Sequence, residues 1–406
     1  MNEQKTHLSV YQVLTALLLA SILNLNIFRI VLRTSSNMIS YPIFALFFIL
    51  ILIQNGKRTH FELNIPVAAA IFLYIAWSIV SLFMFGGSYL REFIKFLICL
   101  VVGYLAGFTD RDTKNAAFSF SIILSALYSI YAIVYHNDIF RALIRNGSEN
   151  YLTVTIPIGL GLTISLISLI TEKESMTRRL ICVSAALIQT FGLLNYSARG
   201  NLIFPFLVAG AFLVYESRSD LKSLLRNTLI ILAGTAIAYY LFRNYASDKL
   251  VTRLTRLVSS VEQEGRVPIY RLFISDLWNN MRFLIGIGFG RSAELLKNNG
   301  FSELYPHNFI LELVCEGGIF GVFLVIATLF EVIKAEKTIV WSVRNNHLVN
   351  DNKNSRTVYL TTSVLFFFIL NYFKSYSIYD GYQMFICIAM ILHSETLFEK
   401  DRLTVS

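Results

Sequence analysis

The chain has 406 residues, of which 55% are hydrophobic and only 15% are charged, and its formal net charge is +9. This composition is far more apolar than that of a soluble globular protein of the same length, and it excludes soluble enzymes and nucleic-acid-binding modules. Solid apolar runs, such as residues 44–53 and 68–85, exclude a transmembrane β-barrel, whose segments are short and alternate between polar and apolar residues.

Apolar stretches long enough to cross a hydrocarbon layer of about 30 Å recur along nearly the whole chain. They predict an all-α, polytopic transmembrane helix bundle with about twelve spans: 9–32, 38–54, 65–86, 92–108, 116–136, 151–171, 180–196, 200–215, 227–243, 307–333, 357–373 and 380–394. Residues 1–243 hold nine of these spans, residues 244–306 form one large loop, and residues 307–406 hold the last three spans and a C-terminal tail.

Lysine and arginine are concentrated in the loops on the same side as the N-terminus, and the short loops on the other side hold fewer. Because positively charged loops stay in the cytoplasm, both termini are predicted to be cytoplasmic and the large loop to lie outside. Within this loop, residues 269–277 have apolar side chains at helical spacing, which predicts an amphipathic helix at the membrane surface or over the core.

The four cysteines give no sign of a metal or disulfide framework. They lie in or beside apolar stretches without Cys-x-x-Cys spacing, so neither a zinc site nor a set of disulfides is expected, and no cofactor is predicted. The cysteines are Cys99, Cys182, Cys315 and Cys387.

Several arginines on the predicted outer face are candidates for binding an anionic group. Arg199 falls at the end of a predicted span, where an arginine is costly without an anionic partner, although a snorkelling residue that sets the topology is the alternative. Arg266 and Arg271 lie on the large loop, and their planar guanidinium groups match the phosphate oxygens of a lipid-linked pyrophosphate. A solvated charge cluster that meets anionic lipid is an equally open interpretation of these two arginines.

The stretch Gly286-Ile-Gly288-Phe-Gly290-Arg291 resembles a phosphate-binding loop only superficially. It neither follows the spacing of a dinucleotide-binding fingerprint nor carries the Lys and Ser/Thr of a P-loop. Its glycines are therefore expected to permit tight turns and close approach of helices.

A polar group is predicted where the large loop re-enters the membrane. His307 lies at this point, and Asn308, Glu312 and Glu316 follow at intervals of four residues on one helical face. A histidine with a pKa near neutral can accept a proton from an attacking sugar hydroxyl, which suits an active site. A polar helix cap with packing glycines is the structural alternative.

These motifs together resemble those of the O-antigen ligase and O-antigen polymerase superfamily of bacterial envelopes. The resemblance covers about residues 195–324 and rests on Ser-Ala-Arg-Gly at 197–200, Glu-Gly-Arg at 264–266, the glycine turn, and the run from His307-Asn308 to Glu316-Gly-Gly-Ile-Phe-Gly321. The resemblance implies a metal-independent glycosyltransferase of the bacterial inner membrane that acts at the periplasmic face on glycans carried by undecaprenyl pyrophosphate.

What the resemblance implies for individual residues is equally specific. It implies that Arg199 and Arg266 hold the pyrophosphate and that His307 activates the acceptor. Our mechanistic hypothesis adds Arg271 or Arg291 as further pyrophosphate ligands and Glu312 or Glu316 as the group that orients His307. We expect a polymerase that joins lipid-linked repeat units, with membrane lipid, a chain-length regulator and a flippase as further partners. A ligase that transfers the glycan to lipid A core is the alternative within the family.

A flippase for lipid-linked oligosaccharides is the alternative from another class of protein. Transporters of this kind usually have two related halves with the longest connector inside and central. Here the longest predicted connector is outside and late in the chain, which favours the enzyme.

Overall fold

A computed structural model describes residues 8–33, 36–55, 64–85, 89–139, 151–171, 175–196, 199–217, 266–279, 281–345 and 352–405, with five single residues between 222 and 244. Throughout these ranges the ordered elements are helices and none is a β-strand, which confirms the predicted all-α class. The predicted span at 227–243 and the predicted loop before Arg266 lie largely outside the described residues.

The helices of the described ranges are numbered here in chain order. They are α1 (Val10–Leu23), α2 (Leu25–Val31), α3 (Ser36–Asn55), α4 (Ile65–Met84), α5 (Leu90–Gly107), α6 (Arg111–Val134), α7 (Tyr151–Thr171), α8 (Met176–Leu194), α9 (Arg199–Ser217), α10 (Val267–Asn279), α11 (Ser292–Asn298), α12 (Phe309–Gly317), α13 (Ile319–Asn345), α14 (Asn352–Ser375) and α15 (Tyr382–Val405). A short 3-10 turn, Ile378–Asp380, lies between α14 and α15.

Apolar helices of membrane-spanning length identify the chain as a membrane protein. Among the described helices, α4, α6, α7, α8 and α14 are long and apolar enough to cross a membrane, and α1 with α2 makes a sixth if this bent pair counts as one span. These six segments agree with six of the predicted spans, since length and hydropathy are local properties that the sequence shows directly.

Two predicted spans are interrupted by a break in the helix. The stretch 9–32 bends by 73° at Asn24, between α1 and α2, and the stretch 307–333 divides at Gly318 into α12 and α13. Gly318 has a φ of 55°, and a Cβ at this position would lie 2.6 Å from the Gly286 nitrogen. Hydropathy averaged over a whole span did not reveal either break, although Asn24 and Arg29 already interrupt the first apolar stretch in the sequence.

The chain divides into two units, and the first comprises residues 1–54, 109–259 and 352–367. Helix α6 packs here against α1, α7 and α8 along a buried row of Ser121, Ser125 and Ser129. Gln189 of α8 donates to the Ser125 hydroxyl (2.8 Å) and accepts from the Ser165 hydroxyl of α7 (3.0 Å). Polar side chains inside a membrane bundle need such partners, and these bonds tie three helices together.

The second unit comprises residues 55–108, 260–351 and 368–406. In it α4 and α13 run antiparallel, because Trp77 stacks on Phe320 (ring centroids 5.5 Å) near one end and Asn64 donates to Glu331 (2.9 Å) at the other. Helix α15 packs against both α5 and α13 and completes a four-helix group.

The same unit carries a small folded region at the C-terminal end of α4. This region is built from α10, α11, α12 and the segment 281–291. Its core contains the buried side chains of Ile269, Phe273, Ile287, Leu296 and Cys315. The predicted amphipathic helix at 269–277 is confirmed within α10, whose buried face covers this core. The backbone N–H of Phe289 donates to the Ser81 hydroxyl (2.7 Å), which fixes the region at the C-terminal end of α4.

Candidate active site

The Glu316 carboxylate organises one buried cluster of the second unit. It is 1% exposed and accepts hydrogen bonds from the backbone N–H groups of Gly290 (2.8 Å) and Ser292 (3.2 Å) and from the Tyr379 hydroxyl. Successive backbone N–H groups that converge on one anion are also how a phosphate-binding loop holds its ligand. Here the anion is the chain's own carboxylate, so the glycine-rich segment is a structural loop.

The glycines of this loop have the role predicted from the sequence. Gly286, Gly288 and Gly290 have φ values of 72°, 100° and 76°, in the region that residues with a Cβ rarely adopt. A Cβ at Gly286 would lie 2.3 Å from the Glu316 carbonyl oxygen, and one at Gly288 would lie 2.8 Å from the Phe85 ring. Tight turns and close packing therefore account for all three positions.

The Glu312 carboxylate fixes a second loop to the same helix. It is 1% exposed and accepts hydrogen bonds from the Ser377 hydroxyl (2.8 Å) and the Ile378 N–H (2.8 Å), both between α14 and α15. Glu312 and Glu316 lie on one face of α12, as expected, but their hydrogen bonds run to the two loops. They therefore hold the two loops that surround the site. The sequence suggests a different role for them, which is to orient the imidazole of His307.

His307 lies in the turn just before α12. Its φ is 58°, a left-handed conformation that is unfavourable for a residue with a Cβ and that is kept only where the surroundings impose it. The Tyr305 ring packs against the imidazole (centroids 4.4 Å), and the Tyr270 hydroxyl donates a long 3.5 Å hydrogen bond to the His307 carbonyl. The Nδ1 atom of His307 is buried without a hydrogen-bond partner among the described residues.

The surroundings of His307 keep its imidazole neutral. Burial and, second to it, the positive charge of Arg266 lower the pKa of His307 to about 4, against smaller opposing effects of Glu303 and of a backbone hydrogen bond with Ser375. The sequence had led us to expect a pKa near neutral. The structure corrects this, because burial and a neighbouring cation both disfavour the protonated ring.

Arg266 stands beside the histidine at the C-terminal end of α14. Its Nη1 atom donates to the Lys374 carbonyl, and the Tyr305 hydroxyl donates to the next carbonyl, that of Ser375 (2.8 Å). The last carbonyls of a helix have no partner within it, so these two side chains cap α14. A guanidinium group has five N–H donors, and this contact uses only part of that capacity.

The other predicted pyrophosphate ligands lie elsewhere. Arg271 is on the exposed face of α10, and Arg291 pairs with Glu294 (2.8 Å) while its guanidinium carbon lies 4.4 Å above the Phe85 ring. Arg199 is the first residue of α9 in the first unit, and its side chain is outside the described part of the structure. Among the three predicted arginines whose side chains the structure describes, Arg266 is the one whose charge lowers the pKa of His307.

Sequence reasoning missed the loop between α14 and α15. Residues 374–379 accept from Arg266 and Tyr305, donate to Glu312, and place the Tyr379 hydroxyl between Glu316 and the Gly290 N–H. The polar and aromatic stretch Ser375-Tyr-Ser-Ile-Tyr-Asp380 between two apolar helices was the available signal. It was overlooked because it contains no histidine or arginine.

Within the described ranges, no group of three His, Cys, Asp or Glu side chains lies close enough together to hold a metal ion. No protein-family model matches the chain, and no curated protein matches it in sequence.

Proposed function

We propose that the chain is an O-antigen polymerase, a glycosyltransferase of the bacterial inner membrane that joins oligosaccharide repeat units carried by undecaprenyl pyrophosphate. The proposal includes about twelve spans, cytoplasmic termini and a periplasmic site. The observation that carries it is the pairing of a neutral, partly buried His307 with the cation Arg266, in a folded region at the end of the membrane helix α4. A neutral base beside an anion-binding cation suits transfer of a sugar from a pyrophosphate carrier.

In the proposed reaction a hydroxyl of the acceptor sugar attacks the anomeric carbon of the donor. The new bond joins the acceptor oxygen to this carbon, and the bond between the carbon and the phosphate oxygen breaks. The hydroxyl proton passes to the neutral imidazole of His307, and undecaprenyl pyrophosphate leaves with the electron pair of the broken bond. A base with a pKa of about 4 is weak, so the proton transfers late, once bond formation has made the hydroxyl acidic.

Arg266 is the arginine best placed to stabilise the leaving pyrophosphate. Capping α14 fixes its guanidinium group before the substrate arrives, and charge stabilisation is strongest when the donors are already oriented. Arg271 on the exposed face of α10 is free to meet a phosphate of the lipid carrier farther from the reacting bond. Arg291 is engaged by Glu294 and Phe85, so we assign it a role in holding the loop.

The test is the ladder of surface polysaccharide from a deletion strain complemented with wild type, His307→Ala, Arg266→Ala or the control His136→Ala. His136 lies in the first unit, and we expect its variant to restore the full ladder. Loss of long chains, with a single repeat still attached to core, is the result expected for His307→Ala and Arg266→Ala. Loss of every attached repeat would indicate a ligase, and an unchanged ladder would refute the proposed site.

Purified protein permits a second, independent test. Lipid vesicles containing the protein and a lipid-linked repeat unit are expected to form longer glycans and to release undecaprenyl pyrophosphate, with or without a chelator. Transport of the glycan across the vesicle membrane without a new glycosidic bond would instead indicate a flippase.

A further inference from the structure

One edge of the folded region is apolar and exposed. On α10, Ile274 and Trp278 lie one turn apart on the face opposite the buried core and are 57% and 74% exposed. Met281 (63%) and Ile285 (54%) continue this edge in the next segment. A soluble domain would rarely expose such a contiguous group of large apolar side chains, so the edge has a partner.

This edge is joined to the outward face of α13. The Trp278 ring contacts that of Phe283 (6.0 Å), and the carbonyl of the following residue, Leu284, accepts from the N–H of Ile319 (3.2 Å), the first residue of α13. From there the exposed side chains continue down one face of the helix at helical spacing: Ile319, Phe323, Ile326 and Phe330.

The position of this face along the membrane helix α4 indicates what covers it. Trp77, in the C-terminal half of α4, stacks on Phe320, and Ser81, three residues before the end of α4, accepts from the Phe289 N–H. Helix α13 therefore begins beside the C-terminal half of α4 and then runs antiparallel along it. Since α4 is long and apolar enough to cross the membrane, the start of α13 and the segment 281–285 lie toward the membrane surface at the C-terminal end of α4. Tryptophan is enriched at this level, where its ring is partly buried in lipid.

We propose that the apolar edge of Ile274, Trp278, Met281, Phe283, Leu284 and Ile285 rests in the interfacial layer of the lipid bilayer at the end of α4. Arg271, on the exposed face of α10, and Arg282, paired with Asp276 (2.8 Å), then lie among the lipid headgroups. The contact holds the region that contains His307 against the membrane. It does not depend on the reaction that this region performs.

The three tryptophans of the chain allow a direct test by fluorescence quenching. The double variant Trp77→Phe/Trp341→Phe leaves Trp278 as the only emitter in vesicles of zwitterionic and anionic phospholipid. We expect lipids brominated close to the headgroup to remove most of the Trp278 emission, lipids brominated deep in the acyl chain to remove less, and aqueous acrylamide to remove little.

The matched control moves the tryptophan to a polar surface of the same region. In a background that also carries Trp278→Phe, Lys297→Trp places the emitter at the exposed end of α11, where acrylamide is expected to quench it and brominated lipid is not. Trp278 emission that behaves like this control would overturn the proposal. So would protection of Trp278 that disappears when the protein is diluted in the membrane, since a second copy of the chain would then cover the edge.

Discussion

Replacing Glu316 with glutamine is expected to loosen the glycine-rich loop while the rest of the fold persists. The carboxylate accepts from two backbone N–H groups and one hydroxyl, and a hydrogen bond to a charged group stabilises by about 1.5–3 kcal/mol. Glutamine keeps one acceptor oxygen but turns an amide N–H₂ toward a second donor. The free energy of opening this loop should therefore fall by about 3 kcal/mol.

Amide hydrogen exchange followed by mass spectrometry measures this change locally. A loss of about 3 kcal/mol corresponds to exchange on the order of 100-fold faster where exchange follows local opening. The affected peptide is residues 284–296, which includes the N–H groups of Gly290 and Ser292. Helices of the first unit, such as α6, should exchange at the wild-type rate.

Glu294→Gln is the matched control, because Glu294 lies on the same segment and pairs with Arg291 at a partly exposed site. An ion pair of this kind stabilises by less than about 1 kcal/mol, so its loss should change exchange by less than roughly fivefold. If Glu316→Gln left exchange of residues 284–296 at the control level in folded protein, the carboxylate would not be what holds this loop.

Three further changes probe other parts of the structure. We expect kcat/KM to be independent of pH from neutral down to about pH 5 and to halve near pH 4, because His307 must be unprotonated and its pKa is about 4. A fall in kcat/KM centred near pH 6.5 would contradict the burial argument. Gly318→Ala should reduce the yield of monodisperse protein in size-exclusion chromatography, because the added Cβ would lie 2.6 Å from the Gly286 nitrogen. The control Gly210→Ala adds a Cβ in open space and should leave the yield unchanged. Gln189→Leu should lower the free energy of unfolding by about 1–2 kcal/mol because it leaves Ser165 without its acceptor, and an unchanged thermal midpoint would show that the serine row tolerates the loss.

Much of the fold is encoded in local patterns, and these were predictable. Hydropathy predicted the all-α class and the six segments whose helices are long and apolar enough to cross a membrane, and helical spacing at 269–277 predicted α10. The glycines at 286, 288 and 290 were correctly expected to serve turns and close contacts, because the sequence around them lacks the partners of a phosphate-binding loop. Each of these properties depends on residues within about one helix or one loop of each other.

The connections that build the site were decided only by the tertiary structure. Glu316 binds a loop 26 residues before it and a tyrosine 63 residues after it, and Arg266 caps a helix 108 residues away. No spacing in a single sequence reveals such partners, so the acids next to His307 were assigned to the imidazole when they hold the surrounding loops. The pKa of His307 escaped prediction for the same reason. It is set by burial and by the charge of Arg266, and both exist only once these distant segments have packed together.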